Sequence, residues 1–140
     1  MSTEQNKAIV NRLITEVNRG HLEVLDEVLD SKLIEHSLPG QLPQNIDGVK
    51  QFFREYRAAF PDLTYKIEET IAEGNWVAQH LMAHGTMKGA FLGMPATGKQ
   101  ATWSEMHMAR IDHGKIVEHW GTADTMGMSQ QLGLTPMQRK

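Results

Sequence analysis

The order of apolar and polar positions divides this chain into a helical first half and a stranded second half. Val10, Leu13, Ile14 and Val17 recur at helical spacing as far as Gly20, behind a Ser2/Gln5 pair that fits a capping box. Leu22, Leu25, Val28 and Leu29 keep that period for two more turns and predict a second, short helix. The brief apolar segment Leu33-Ile34-Glu35-His36 predicts a short strand, and the Pro- and Gly-rich run SLPGQLPQNIDG after it predicts a loop. Asp47 is placed to cap a third helix, whose stripe of Val49, Phe52, Phe53, Tyr56 and Phe60 stops at Pro61.

Beyond Pro61 the period changes from helical to two. Leu63, Tyr65, Ile67 and Ile71 alternate with Thr64, Lys66, Glu68 and Thr70, as a half-buried strand does. Glu73-Gly74-Asn75 turns the chain into a second strand, WVAQHLMAHGTM. KGAFLGMPATGK, with its three glycines and a proline, predicts a long rim or lid connection to a third strand, QATWSEMHMARI. Asp112-His113-Gly114-Lys115 is a hairpin turn into a fourth, KIVEHW. Helices followed by antiparallel strands predict an α+β domain over residues 1–140, with helices packed on one face of a single curled sheet. A curled sheet closed by helices leaves a concave pocket, the usual place for a small ligand.

Composition narrows what that pocket serves. With 140 residues there is room for one core, so one site is sought. A net charge of −3 with scattered Lys and Arg offers no basic stripe, so nucleic acid is not an expected partner. No apolar run reaches the roughly 18 residues of a spanning helix, and no basic segment precedes an apolar one near the N-terminus; a cytoplasmic protein that does not enter membranes is expected. The absence of cysteine excludes disulfides, thiolate metal sites and a Cys nucleophile together. Neither a GxSxG elbow nor a phosphate-binding glycine loop is present, which removes support for nucleophilic hydrolysis and nucleotide chemistry.

Candidate chemistry clusters late in the chain. Alternation along the third strand puts Trp103, Glu105 and His107 on one face, a combination that suits a pocket wall, although a half-exposed sheet face would look the same. His80 and His84 are four apart, but on a strand that spacing separates them by about 13 Å, too far to share an ion. Glu105, His107 and His119 are a looser possible ligand set, and no metal is expected. Asp124 lies four residues after Trp120 and would share its face, and that of Glu118, if the last strand ran so far. It either caps a short helix with Met128 and Leu132 on its apolar side, or is a carboxyl raised by apolar neighbours into the range of an acid/base. Both readings stay open on the residues alone.

The motif G-x-P-A-T-G-K, then a Trp, then G-K-I-x-E-x-W-x-x-x-D, all within FLGMPATGKQATWSEMHMARIDHGKIVEHWGTAD, resembles the signature block of the SnoaL-like polyketide cyclases. These ester cyclases belong to the nuclear transport factor 2-like, cystatin-like superfamily. The N-terminal helix pair, the His36 region and the QQLG segment fit as well, so the resemblance covers nearly the whole chain. It implies a cone in which a curved antiparallel sheet is wrapped by N-terminal helices, dimerised through the sheet. It also implies an intramolecular aldol closure or proton transfer on a small hydrophobic, polyketide-like carbonyl compound, without cofactor. Asp124 matches the general acid/base of that chemistry, and His107 is its expected partner. Glu105, Trp103 and Trp120, with His36, His80 and Phe53, are the expected pocket residues. A non-catalytic ligand-binding module of the same fold is the other function such a chain could have.

Overall fold

The computed structural model describes residues 2–134; residues 1 and 135–140, which the single-domain expectation for 1–140 includes, lie outside the described residues. Helix α1 (Thr3–Asn18) starts in the expected capping box: Ser2 Oγ accepts the Gln5 N–H at 3.1 Å, and Gln5 Oε1 accepts the Ser2 N–H at 2.9 Å. Helix α2 (Val24–Val28) stops short of the predicted end, because Leu29 is already extended and opens strand β1 (Leu29–Glu35). Leu29 and Leu33, spaced by four, are buried on a strand as they would be on a helix, so periodicity alone could not separate the two. Helix α3 (Ile46–Ala59) is capped by Asn45 rather than Asp47: the Asn45 carboxamide oxygen accepts the Gly48 N–H at 3.1 Å. Asp47 falls in the first turn, where its charge suits the helix dipole.

Strands β2 (Thr64–Glu73), β3 (Trp76–Thr86), β4 (Gln100–Asp112) and β5 (Lys115–Ala123) follow, then helix α4 (Thr125–Leu132). They form one five-stranded sheet in the order β1-β5-β4-β3-β2. The predicted α+β architecture is present, but the sheet is not antiparallel throughout: β1 lies parallel to β5, pairing Glu35 with His119. β1 arrives from the helices instead of through a hairpin, so nothing obliges it to reverse direction. The helices cover the inner face, where Val17, Leu25, Phe60, Leu81 and Trp103 are fully buried. Each such side chain contributes roughly 1.5–3 kcal/mol by leaving water.

Two bulges decide which side chains reach that inner face. The β4–β5 hairpin closes through His113 and Gly114, both at positive φ, as a two-residue turn requires. Ile111 then faces Ile116, but Arg110 faces Glu118, so Val117 is an extra residue in β5. Without it Trp120 would lie opposite His107; with it Gly121 does, and the rest of β5 exchanges faces. His119, Gly121 and Ala123 therefore turn inward, and Glu118, Trp120 and Thr122 align with the outer face. A second bulge between Ile67 and Glu69 does the same to β2: Thr70 pairs with Gln79, and Ile71, expected with the inner residues, is 64% exposed.

Candidate active site

The inner face, α1, α3 and α4 enclose a cavity of about 380 Å³, within the usual range for small-molecule sites. Its wall is mostly apolar: Val10, Leu13 and Ile14 come from α1, Phe52 and Phe53 from α3, Phe91 and Leu92 from the loop between β3 and β4, and Met128 from α4. The β3–β4 loop is a rim, as its glycines suggested. Leu92 holds a positive φ of 51° within that loop, a backbone state uncommon for a residue with a side chain.

One end of the cavity is polar. Cross-strand pairing lines up Thr70, Gln79, His107 and Gly121 from β2 to β5, and a neighbouring row carries Val77, Ala109, His119 and Glu35. His107 and His119 are thus diagonal neighbours, and His107 Nδ1 stands 3.0 Å from His119 Nε2. On the far side of each ring is a buried carboxylate. His107 Nε2 is 2.8 Å from Glu105 Oε1, and His119 Nδ1 is 2.9 Å from both oxygens of Glu35. The result is one continuous chain, Glu105–His107–His119–Glu35, along the floor of the cavity.

Both carboxylates are held by further donors. The Tyr56 hydroxyl (2.7 Å) and the Trp103 indole N–H (2.9 Å) donate to Glu105 Oε2, and the Ser37 hydroxyl donates to Glu35 Oε2 at 2.9 Å. Burial alone would raise the Glu105 pKa, but the hydrogen bond and charge of His107, with the Tyr56 and Trp103 donors, bring it below the ordinary value. Glu35 follows the same balance, with burial opposed by His119 and Ser37 and a net lowering. Burial pushes the Tyr56 and Tyr65 phenols well up, which keeps both as donors. Gln79 donates its amide to Asn11 Oδ1 at 2.7 Å from a buried position in the wall.

The expected site residues part into two groups. Glu105, His107 and Phe53 line the cavity, and Trp103 lies just behind it, tying Glu105 in place. Trp120, His36 and His80 do not line it. The Val117 bulge turns Trp120 outward, where its ring stacks on His36 at 4.4 Å and 7°, and His36 Nε2 contacts Glu118 Oε2 at 2.7 Å. His80 contacts Ser104 Oγ at 3.0 Å on the same outer face. Asp124 is exposed and caps α4, its Oδ1 accepting the Gly127 N–H at 2.9 Å. The pocket-wall expectation for these four is corrected: strand parity turns Trp120 and His80 outward, His36 follows the end of β1, and Asp124 lies past β5 as the cap of α4, the other of the two roles its residues allowed. Glu35 and His119 complete the site: the sequence offers Glu35 only as part of an apolar strand and His119 only as a possible metal ligand, because its facing depends on the bulge. Among the described residues no three His, Asp or Glu side chains are arranged to hold a metal ion. The ring nitrogens of the His pair face each other and the two glutamates instead.

The profile of the SnoaL-like polyketide cyclases matches residues 8–132. The chain belongs to this family. Among SnoaL-like relatives, the aklanonic acid methyl ester cyclase DnrD of Streptomyces peucetius is 32% identical over 139 residues, covering 95% of this chain and 92% of that protein. The nogalonic acid methyl ester cyclase of Streptomyces nogalater is 30% identical over 129 residues, covering 86% and 92%. The crystal structure of IdmH from Streptomyces antibioticus superposes with a TM-score of 0.82 at 30% identity, over 92% of this chain and 99% of that one. TsrD from Streptomyces laurentii shares the fold with a TM-score of 0.85 at 21% identity, over 96% and 98% of the two chains.

Proposed function

We propose that this SnoaL-like chain is a polyketide cyclase that closes a ring by intramolecular aldol reaction, using acid/base side chains and no cofactor. The observation that carries the reading is the composition of the cavity. Its ionisable lining residues are Glu35, Glu105, His107, His119 and two tyrosines, and the glutamates and histidines form one hydrogen-bonded chain at the end of an otherwise apolar chamber. A carbon flanked by carbonyls is acidic enough for an imidazole to deprotonate, and a shaped apolar wall holds the two reacting carbons together. His107 is the proton-transfer group in this reading. Asp124, which the family resemblance would make the acid/base, has its carboxylate engaged by the first turn of α4 outside the cavity lining.

The relatives' names suggest aklanonic acid methyl ester and nogalonic acid methyl ester as first substrates to try. An intramolecular aldol closure loses no atoms, so the product must have the mass of its precursor and a different chromatographic mobility. His107→Asn should reduce turnover by about 100-fold or more while the cavity still binds the compound. Wild-type protein that binds such esters and returns them all unchanged would instead be a non-catalytic binding module.

We also propose that the outer sheet face pairs with a second copy of the chain. Ile71, Ala78, Met108 and Trp120 form one cross-strand row there, and Trp76, Arg110, Glu118 and Ile34 the next. Ile71, Met106, Met108 and Ile34 are 42–64% exposed, an apolar face unusual for a lone monomer. A cytoplasmic setting is part of the proposal; no helix among the described residues is long and apolar enough to cross a membrane.

A further inference from the structure

Hydrogen counting along the Glu105–His107–His119–Glu35 chain leads one step beyond the proposed function, on which this inference rests. The chain contains three close contacts, Glu105 to His107, His107 to His119, and His119 to Glu35, at 2.8, 3.0 and 2.9 Å. Each needs one hydrogen, because two lone pairs facing each other at these distances repel. Two neutral imidazoles and two carboxylates carry only two hydrogens on the atoms concerned. If both rings point their N–H at the glutamates, the central contact has none. A third hydrogen is therefore required for all three contacts to be bonds.

The surroundings decide where it sits. Glu105 Oε2 is already approached by the donors of Tyr56 and Trp103, and Glu35 Oε2 by the hydroxyl and backbone N–H of Ser37 and the backbone N–H of His36. A carboxylate ringed by donors is held ionised. The extra hydrogen belongs to the rings.

We propose that His107 and His119 share one excess proton at neutral pH, as one imidazole and one imidazolium, and that this pair supplies both the base and the acid of ring closure. His107 and His119 are then both catalytic, and Glu35 is a positioning residue that fixes the proton count. A substrate parts the two rings and meets His107 Nδ1 and His119 Nε2, only one of which carries a hydrogen. The free nitrogen takes the proton from the carbon next to a carbonyl. The resulting enolate carbon forms the new C–C bond to the accepting carbonyl carbon as its C=O π pair moves to oxygen. The imidazolium gives its proton to that oxygen. One proton has entered the pair and one has left, so it ends with the count it began with and solvent need supply none.

The test counts ring hydrogens in the substrate-free protein. In wild-type protein with ¹⁵N-labelled histidine at pH 7, nitrogen shifts and N–H couplings should report three hydrogens over the four nitrogens of His107 and His119. Glu35→Gln discriminates, because the new amide can donate to His119 Nδ1 and so complete all three contacts without an excess proton. Its count should fall to two, and ring closure should slow by about 100-fold or more at unchanged mid-pH folding. A count of two in wild type, or three in Glu35→Gln, overturns the shared proton. Neither result touches the His107→Asn assay, which judges the cyclase reading separately.

Discussion

The α-carbon of Gly121 lies directly under the His107 imidazole, so close that a β-carbon there would sit 2.7 Å from His107 Nδ1 and 3.2 Å from His119 Cε1. No side chain fits beneath the histidine pair. Gly121→Ala should therefore push the rings apart, at a cost of about 1–3 kcal/mol for overpacking. Turnover should fall by more than that stability loss explains. A variant that cyclises at the wild-type rate would show that the His107–His119 contact is dispensable.

Tyr56 is the second support of the site. Its hydroxyl donates to Glu105, accepts from the Trp103 indole at 3.0 Å, and stands between α3 and β4. Tyr56→Phe removes a donor from a buried carboxylate and should destabilise the fold by about 1–3 kcal/mol in chemical denaturation. It should also raise the Glu105 pKa, since one of the donors that lowers it is gone.

Asp124 offers a clean contrast between capping and catalysis. Asn caps a helix as well as Asp does, so Asp124→Asn should keep both stability and turnover. Asp124→Ala should lose about 0.5–2 kcal/mol of stability. Loss of turnover in folded Asp124→Asn would return the acid/base role to this residue and remove it from His107.

Acid should unfold the protein partly through Glu35 and Glu105. In the folded chain both titrate below their ordinary value of 4.5. A group with a depressed folded pKa stabilises the fold above its unfolded pKa, about 4.3, and that contribution fades as pH falls through the folded value. Melting temperature should be insensitive to these two groups between pH 5 and 7 and decline below about pH 4. Glu35→Gln should show a shallower acid decline; an identical pH curve would mean that Glu35 has no such role.

Much of the architecture was legible in the sequence. The α1 capping box, the change from helical to alternating period at Pro61, and the hairpin at His113–Gly114 are all local signals, and local chemistry settles them. Facing is different. Trp103, Glu105 and His107 could be assigned together because β4 is regular over that span. Trp120 could not be placed, because one extra residue at Val117 reverses the strand after it and no propensity marks that residue, whereas Asp124 had two open readings that the end of β5 at Ala123 decides for the helix cap. The partnership of Glu35 with His119 depends on a parallel pairing across 84 positions of sequence, which no local pattern encodes.

The outer face makes a prediction of its own. Met108→Glu places a charge in the middle of the apolar row, and should convert a dimer to a monomer in sedimentation without changing the cavity. Wild-type protein that sediments as a monomer at micromolar concentration would remove the proposed pairing.

The bulge at Val117 gives β5 two faces with different vocabularies: an indole and a carboxylate on one, an imidazole and a bare glycine on the other. Insertion or deletion of a single codon there would exchange them wholesale, replacing the lining of the chamber without altering any other residue. In this strand the reading frame of the pleat is itself a heritable variable, and chains of this architecture can change their chemistry by a step of one residue as well as by substitution.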